Sequence, residues 1–364
     1  MARILILGVK VPFTDGGQDA LVRSLSNEIR RRGHQVDTVE LPFSLNKKED
    51  ILLQIAMWRS LDLSSFGGMP VDLVIATKFP SYFARHPKKS VWLVHQYREM
   101  YDLYGTRFSD FSDDLRDEAI REAVIQGDSL ALGECAYRGA ISKNVANRLK
   151  LYNGLDAEAL YPPIPLGNRY KQGDFGKYIL CVGRICSIKR VDMILKAMPF
   201  IHRDIKLKIV GMPDVSGIME YLNNEIDKHH LWDRVEFLGR SSDEDLINLY
   251  AGALAVYYAP HNEDYGYVTL EAMASGKGVI TANDSGGVLE FITDGHNGLV
   301  TDPNSEAIGM AINKLVEDPT LAKKLGEVGR NKLESLGLID SGWSPVVDGL
   351  LSPLEDQDIK DRVA

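Results

Sequence analysis

The sequence predicts an α/β protein made of two doubly wound parallel sheets, and three observations lead there. Its 364 residues exceed what one hydrophobic core ordinarily serves and suit two domains of roughly 150–200 residues. Short apolar runs alternate with stretches of helical periodicity along almost the whole chain, the pattern of strands wrapped by crossover helices. A Pro- and Gly-rich stretch, YPPIPLGNRYKQGDFGK at 161–177, interrupts the alternation near the middle and reads as a linker.

In chain order, ARILILG (2–8) is a buried first strand. QDALVRSLSNEIRRRGHQVDTVEL (18–41) follows, with Leu21, Leu25 and Ile29 at helical spacing before Gly33 and a second strand. VDLVIATK (71–78), SVWLVHQ (90–96) and YRGAIS (137–142) continue the first sheet. Beyond the linker, YILCVGR (178–184), KLKIVGM (206–212), RVEFLGR (234–240), ALAVYYAP (253–260), GKGVITAN (276–283) and NGLVTD (297–302) read as buried strands. Helical stretches lie between them, among them SGIMEYLNNEIDKHH and DEDLINLYAG. Ser241 with Glu244 three residues on predicts a capping box for the latter. The domains are therefore placed at 1–165 and 166–337. A tail at 338–364, with Trp343, Val346, Val347, Leu350 and Leu351 at helical spacing, is expected to pack back on the first.

Composition narrows the function. The net charge is −9, and all of the acidic excess falls in 166–364, since 1–165 holds 21 basic and 21 acidic residues. Such a chain is a poor nucleic-acid binder. The basic runs RRR (30–32) and RHPKK (85–89) leave open a weak peripheral contact with anionic lipid, against the plainer reading of solvated charges. No uncharged apolar run of about 18 residues occurs and MARILILGV lacks a secretory pattern, so neither a spanning helix nor a leader is expected. Three cysteines, an odd number, argue against a disulfide framework and for a reducing cytoplasm. Cys181 and Cys186 have no second pair to complete a zinc site, so no metal is expected there.

Ligands of doubly wound sheets sit beyond the carboxyl ends of the strands, which directs attention to the loops there. KVPFTDGGQDAL (10–21) places Gly16 and Gly17 between the first strand and helix, where backbone N–H groups can approach a phosphate or sugar. A tight turn accounts for the pair equally well, and it is not a G-x-G-x-x-G fingerprint, so no dehydrogenase follows. In VGRICSIKRVD (182–192), Arg184 and Lys189 follow the first strand of the second domain, a fork and a point charge suited to a diphosphate. In HNEDYGYVTLEAMASGKG (261–278), a helix starting near Gly266 puts Glu271 about one and a half turns inside and Glu263 in the loop before it. Two carboxylates flanking a helix start can accept hydroxyl bonds from a ribose and a sugar ring, with the phosphate facing the helix N-terminus.

NEDYGYVTLEAMASGKGVI (262–280) resembles the E-x7-E segment of the retaining glycosyltransferases of family 4, which are GT-B enzymes with two Rossmann-like domains facing across a cleft. The likeness runs through the N-terminal glycine pair, VGRICSIKRVD, RVEFLGRSSDEDLINLY and SGGVLEFITDGHNGLVTD, nearly the whole chain. It implies that Arg184 and Lys189 bind the donor diphosphate, Glu271 the ribose and Glu263 the donor hexose. It further implies that backbone amides at Tyr265, Gly266 and Tyr267 touch sugar and phosphate, that Gly17 lies near the phosphate, and that His95 stands beside the transferred sugar. Gly278 stands where proline is common, and Tyr265 and Tyr267 replace phenylalanine and smaller residues, a departure that bears on donor choice.

The resemblance thus implies a metal-independent hexosyltransferase without a cofactor. It would draw on a nucleotide diphosphate sugar, GDP-mannose or a UDP-hexose first, and on a sugar, lipid-linked or small-molecule acceptor in polysaccharide or glycoconjugate synthesis. No D-x-D metal motif stands out; Asp113-Asp114 reads as a helix start. The aromatic stretch 95–111 is either an acceptor surface or a packing helix. The alternatives are a sugar-nucleotide 2-epimerase of the same fold, against which the E-x7-E pattern weighs, and a non-catalytic sugar-nucleotide-binding subunit.

Overall fold

The computed structural model describes residues 1–12, 17–45, 47–214, 216–339 and 342–363. The chain divides into two units, Met1–Pro165 with Ser341–Ala364, and Leu166–Asp340.

The first unit runs β1 Arg3–Lys10, α1 Gly17–Arg31, β2 Gln35–Pro42, α2 Asp50–Ser60, the two-residue strands β3 Ser65–Phe66 and β4 Met69–Pro70, β5 Leu73–Ala76, β6 Lys89–Leu93, α3 Leu115–Gly133, β7 Tyr137–Ala140, α4 Lys143–Asn153 and β8 Glu158–Ala159. Its main sheet has the order β2-β1-β5-β6-β7-β8 and is parallel throughout. The central strands β5 and β6 are buried along their whole length, while edge strand β2 alternates half-buried and exposed positions. That is why the central strands read as continuous apolar runs: helices cover both faces of such a sheet.

The second unit runs β9 Tyr178–Val182, α5 Val191–Ala197, β10 Lys206–Val210, α6 Ile218–Lys228, β11 Val235–Gly239, α7 Asp243–Gly252, β12 Ala255–Tyr257, α8 Tyr267–Ala274, β13 Val279–Ala282, β14 Gly298–Thr301, α9 Ser305–Glu317 and α10 Pro319–Ser335. Its parallel sheet has the order β11-β10-β9-β12-β13-β14. Successive strands step outward one way from β9 and then resume on its other side at β12. The carboxyl ends of β9 and β12 therefore flank a topological switch point, where the two following loops diverge and leave room for a ligand. In the first unit the corresponding reversal lies between β1 and β5.

Helix α11, Trp343–Val363, ends the described chain and packs on the first unit. Trp343 sets its ring edge-on to Trp92 at 5.9 Å, Ser90 Oγ donates to the Leu350 carbonyl at 2.8 Å, and Arg32 pairs with Asp348. Val346, Val347 and Leu350 are fully buried, so the apolar spacing seen in the tail is the docking face.

Local chemistry sets the helix ends. Asp114 caps α3, accepting from the N–H groups of Arg116 and Asp117, as its helix-start reading expects. The cap of α7 is Ser242, not Ser241: Ser242 is extended and its Oγ accepts from Asp245 N at 3.2 Å, moving the capping pair one residue along. The hairpin β3/β4 and strand β8 were not legible, being two residues per strand. Within 95–111 the only helix is the single 3-10 turn Arg98–Met100, and Met100, Tyr101, Leu103 and Phe111 are buried, which favours packing for those positions. The cysteines are three buried free thiols, and burial pushes Cys181 up to about 12.

Asp128 is fully buried in α3 beside Tyr101, which donates to its carboxylate. Burial pushes this carboxyl up to about 7 from its ordinary 3.8, against the opposing hydrogen bond of Tyr101. The protonated form is thus favoured by folding, and its contribution is lost as pH rises toward 7. Urea unfolding at pH 5 and pH 8 is expected to show a smaller loss of stability for Asp128→Asn than for the wild type; equal losses would remove Asp128 as the source.

Candidate functional site at the second switch point

Three loops meet at the carboxyl ends of β9, β12 and β13. The first leaves β9 through Gly183 and Arg184 and closes in a 3-10 turn, Ser187–Lys189. The second, from Tyr258 to Gly266, joins β12 to α8. The third leaves β13 and passes through Asp284 to Gly287.

Lys189 and Glu263, 74 positions apart in sequence, form an ion pair, and Lys189 Nζ donates to Tyr258 Oη at 3.0 Å. Their side chains are 17% and 18% exposed, sheltered but reachable. Burial alone works to lower the Lys189 pKa, yet the charge of Glu263 and the hydrogen bonds of Glu263 and Tyr258 outweigh it, and the ammonium is held above its ordinary value. It stays cationic across the physiological range.

The loop bearing Glu263 is pinned on both sides. His261 N–H donates to the Ile188 carbonyl at 2.9 Å. On the other side, Asn262 N–H donates to Asp284 O at 2.8 Å, Glu263 N–H to Ser285 O at 3.2 Å, and Gly287 N–H to Glu263 O at 2.7 Å. Together these make a short parallel bridge between Glu263 and Gly286.

Helix α8 starts at Gly266, in the left-handed region at φ 89°. A Cβ there would meet Val288 at 3.1 Å and Tyr258 at 3.2 Å, so both backbone and space call for glycine. No side chain caps this start and its first turn holds no acidic residue, leaving the positive end of the helix dipole for a ligand's negative charge. Tyr265 is buried, edge-on to Tyr267 at 5.1 Å and to Phe291 at 5.5 Å. The two tyrosines thereby fix the entry to α8.

Glu271 accepts a hydrogen bond from Tyr250 Oη at 2.7 Å, and Tyr250 packs edge-on to Tyr170 of the linker at 5.8 Å. Burial raises the Glu271 pKa against the opposing hydrogen bond of Tyr250. The linker is itself strapped down: Lys277 Nζ donates to the carbonyls of Gly173 and Asp174 at 2.9 and 3.0 Å and lies 3.8 Å from the Phe175 ring centre.

Arg184 does not meet Lys189. It is 68% exposed and pairs with Asp214 after β10 at 2.9 Å. The two cations read as one diphosphate pair thus stand on separate acidic partners. In the first unit, His95 lies just past β6, with Nδ1 2.7 Å from the Gln96 carbonyl oxygen. Gly17 is the first residue of α1, beyond the carboxyl end of β1, and a Cβ there would meet nothing within 4 Å. Gly16 lies outside the described residues. Among the described residues, no three His, Cys, Asp or Glu side chains converge as a metal site.

Sequence reasoning missed Tyr258, Tyr250, Tyr170, Arg190, His261 and Asp284. Tyr258 and Tyr250 lie in runs that read as strand and helix, Tyr170 lies in the linker, and Arg190 reads as one more surface cation beside Lys189.

Two Rossmann-like units in one chain, the second with its polar groups gathered at the switch point, define the GT-B fold. Residues 170–332 match the family model for glycosyl transferases group 1, a match that fills most of the second unit. An uncharacterised glycosyltransferase of Methanocaldococcus jannaschii is 29% identical over 195 residues, 53% of this chain and 51% of that one. The chain spans about half or less of the length of the curated relatives it matches. Among solved structures, the sucrose-phosphate synthase of Thermosynechococcus elongatus superposes with a TM-score of 0.77 at 18% identity, covering 98% of this chain and 99% of that one. Anabaena HepE in complex with UDP and glucose gives 0.71 at 16%, covering 99% and 100%. At these identities the structures speak for the fold.

The phenol of Tyr250 is fully buried, so its loss would leave a sheltered carboxylate oxygen short of a donor. Tyr250→Phe is expected to lower unfolding free energy by about 1–3 kcal/mol in urea titration; an unchanged midpoint would show that Glu271 is satisfied without it.

Proposed function

We propose that the protein is a glycosyltransferase that moves a hexosyl group from a nucleoside diphosphate sugar to an acceptor hydroxyl, with retention at the anomeric carbon and without a metal. The observation that carries this reading is the Lys189–Glu263 pair beside the uncapped start of α8, at the switch point of a unit that matches the family model for glycosyl transferases group 1. One cation, one carboxylate and one helix N-terminus within a single loop cluster suit a ligand that carries hydroxyls and phosphate together. UDP in the HepE complex supports a uridine donor as the first to test.

On this reading Glu263 accepts hydroxyls of the hexose and Glu271 those of the ribose. Lys189 and the α8 start face the diphosphate, and Arg184 joins them by exchanging Asp214 for phosphate oxygens. As the bond from the anomeric carbon to the diphosphate oxygen breaks, negative charge gathers on the leaving group, where fixed cations and N–H dipoles lower the barrier most. The acceptor hydroxyl attacks the same face and gives its proton to a leaving diphosphate oxygen, which accounts for retention.

With a saturating chelator present, the wild type is expected to keep its turnover, while Lys189→Ala and Arg184→Ala each lose at least about tenfold, ~1.4 kcal/mol of transition-state stabilisation. Activity abolished by the chelator and restored by magnesium or manganese would overturn the metal-free assignment, and near wild-type rates in either variant would remove that residue. In calorimetry Glu271→Ala is expected to weaken nucleoside diphosphate binding; equal affinity would detach Glu271 from the ribose.

A further inference from the structure

Among the described residues only three that are not glycine have left-handed backbone: Arg190 at φ 53°, His230 at φ 53° and Asn262 at φ 44°. Two of them flank the ion pair. Arg190 directly follows Lys189, and Asn262 directly precedes Glu263. Such conformations are unfavourable for residues bearing a Cβ and persist where the surroundings hold them.

The side chain that reaches the loops of both turns is that of Arg190. Its guanidinium is nearly buried and forks onto Asp284, Nη1 to Oδ1 at 2.7 Å and Nη2 to Oδ2 at 2.6 Å. The same Nη2 donates to His261 Nδ1 at 2.8 Å. The backbone carbonyl of Arg190 accepts from the buried Tyr257 hydroxyl at 2.9 Å. One side chain thus ties together the loops that follow β9, β12 and β13. A surface cation needs no such fork, and a buried one is costly unless it is fully paired.

We propose that Arg190 is a positioning residue: through Asp284 and His261 it locks the three loops and holds the turns that set Lys189 against Glu263. This rests on the reading of Lys189 and Glu263 as donor-binding groups, and it adds the element that fixes their spacing. The partners of the Arg190 guanidinium are Asp284 and His261. Arg190 acts through backbone, by keeping the residue after Lys189 left-handed and the loop before Glu263 docked on Asp284.

The test uses Arg190→Gly and Asp284→Asn in the full chain. Glycine adopts φ 53° without strain, so Arg190→Gly removes the fork while leaving the turn accessible. Amide exchange at His261, Asn262, Glu263 and Gly287 is expected to speed up by at least ~tenfold, with Asp284→Asn showing a smaller rise. In donor kinetics kcat is expected to fall at least ~tenfold with KM changed by less than ~threefold, because misplacement weakens the transition state more than the bound donor. The double variant is expected to be no worse than Arg190→Gly alone, since both break one latch. Unchanged exchange in both variants, wild-type kcat despite faster exchange, or a kcat loss matching only the loss of folded protein in a thermal melt would each overturn the proposal. Exchange reads the latch without any substrate, so absence of transfer by the wild type would count against the proposed function alone. Should Arg190→Gly fail to fold, Asp284→Asn carries the same readings.

Discussion

The contact between the Lys189 ammonium and the Glu263 carboxylate is the interaction around which the second unit's site is arranged. It joins the loops on either side of the switch point, and Tyr258, at the end of β12, supplies a third partner. A sheltered pair of opposite charges is only as good as its alignment, since two desolvated ions repay their desolvation when their geometry is fixed. The backbone bonds from His261 to Ile188 and between 262–263 and 284–285 provide that fixity. So does the parallel order of the sheet, which brings all three loops to one edge. Strand order, loop pinning and charge placement are thus successive consequences of one topology.

Much of the fold was legible because a parallel sheet covered on both faces writes itself as apolar runs. LVIA at 73–76, YILCV at 178–182 and VITA at 279–282 are buried strands in the positions their composition implies. The tail's spacing likewise marked the face that α11 buries. Two-residue strands carry too little pattern to be seen, and the α7 cap slipped by one because adjacent serines at 241 and 242 compete on equal terms until backbone geometry selects the second.

The candidate site was legible in its motifs and opaque in its partnerships. Glycine at 266 and the glutamates around it mark a helix start, and the structure has one there. Periodicity cannot say that Glu263 meets Lys189 across 74 residues, or that Arg184 is drawn to Asp214, 30 residues on. Nor does any local pattern distinguish Arg190, buried and forked, from the exposed arginines elsewhere in the chain. Contacts between strand-end loops are set by strand order, and strand order is a property of the folded sheet.

Helix α11 gives the first unit a core assembled from two segments that the whole second unit separates in sequence, while residues 166–340 form the second unit as one uninterrupted segment. During synthesis on the ribosome the second unit therefore has everything it needs to close while the first still lacks Val346, Val347 and Leu350. The surface that these residues cover on β6 and β7 stays wet until α11 emerges. Biogenesis should accordingly run against the usual N-to-C order, with the early half waiting for the late one, and the interval between them is when a chaperone would find an exposed apolar sheet to hold.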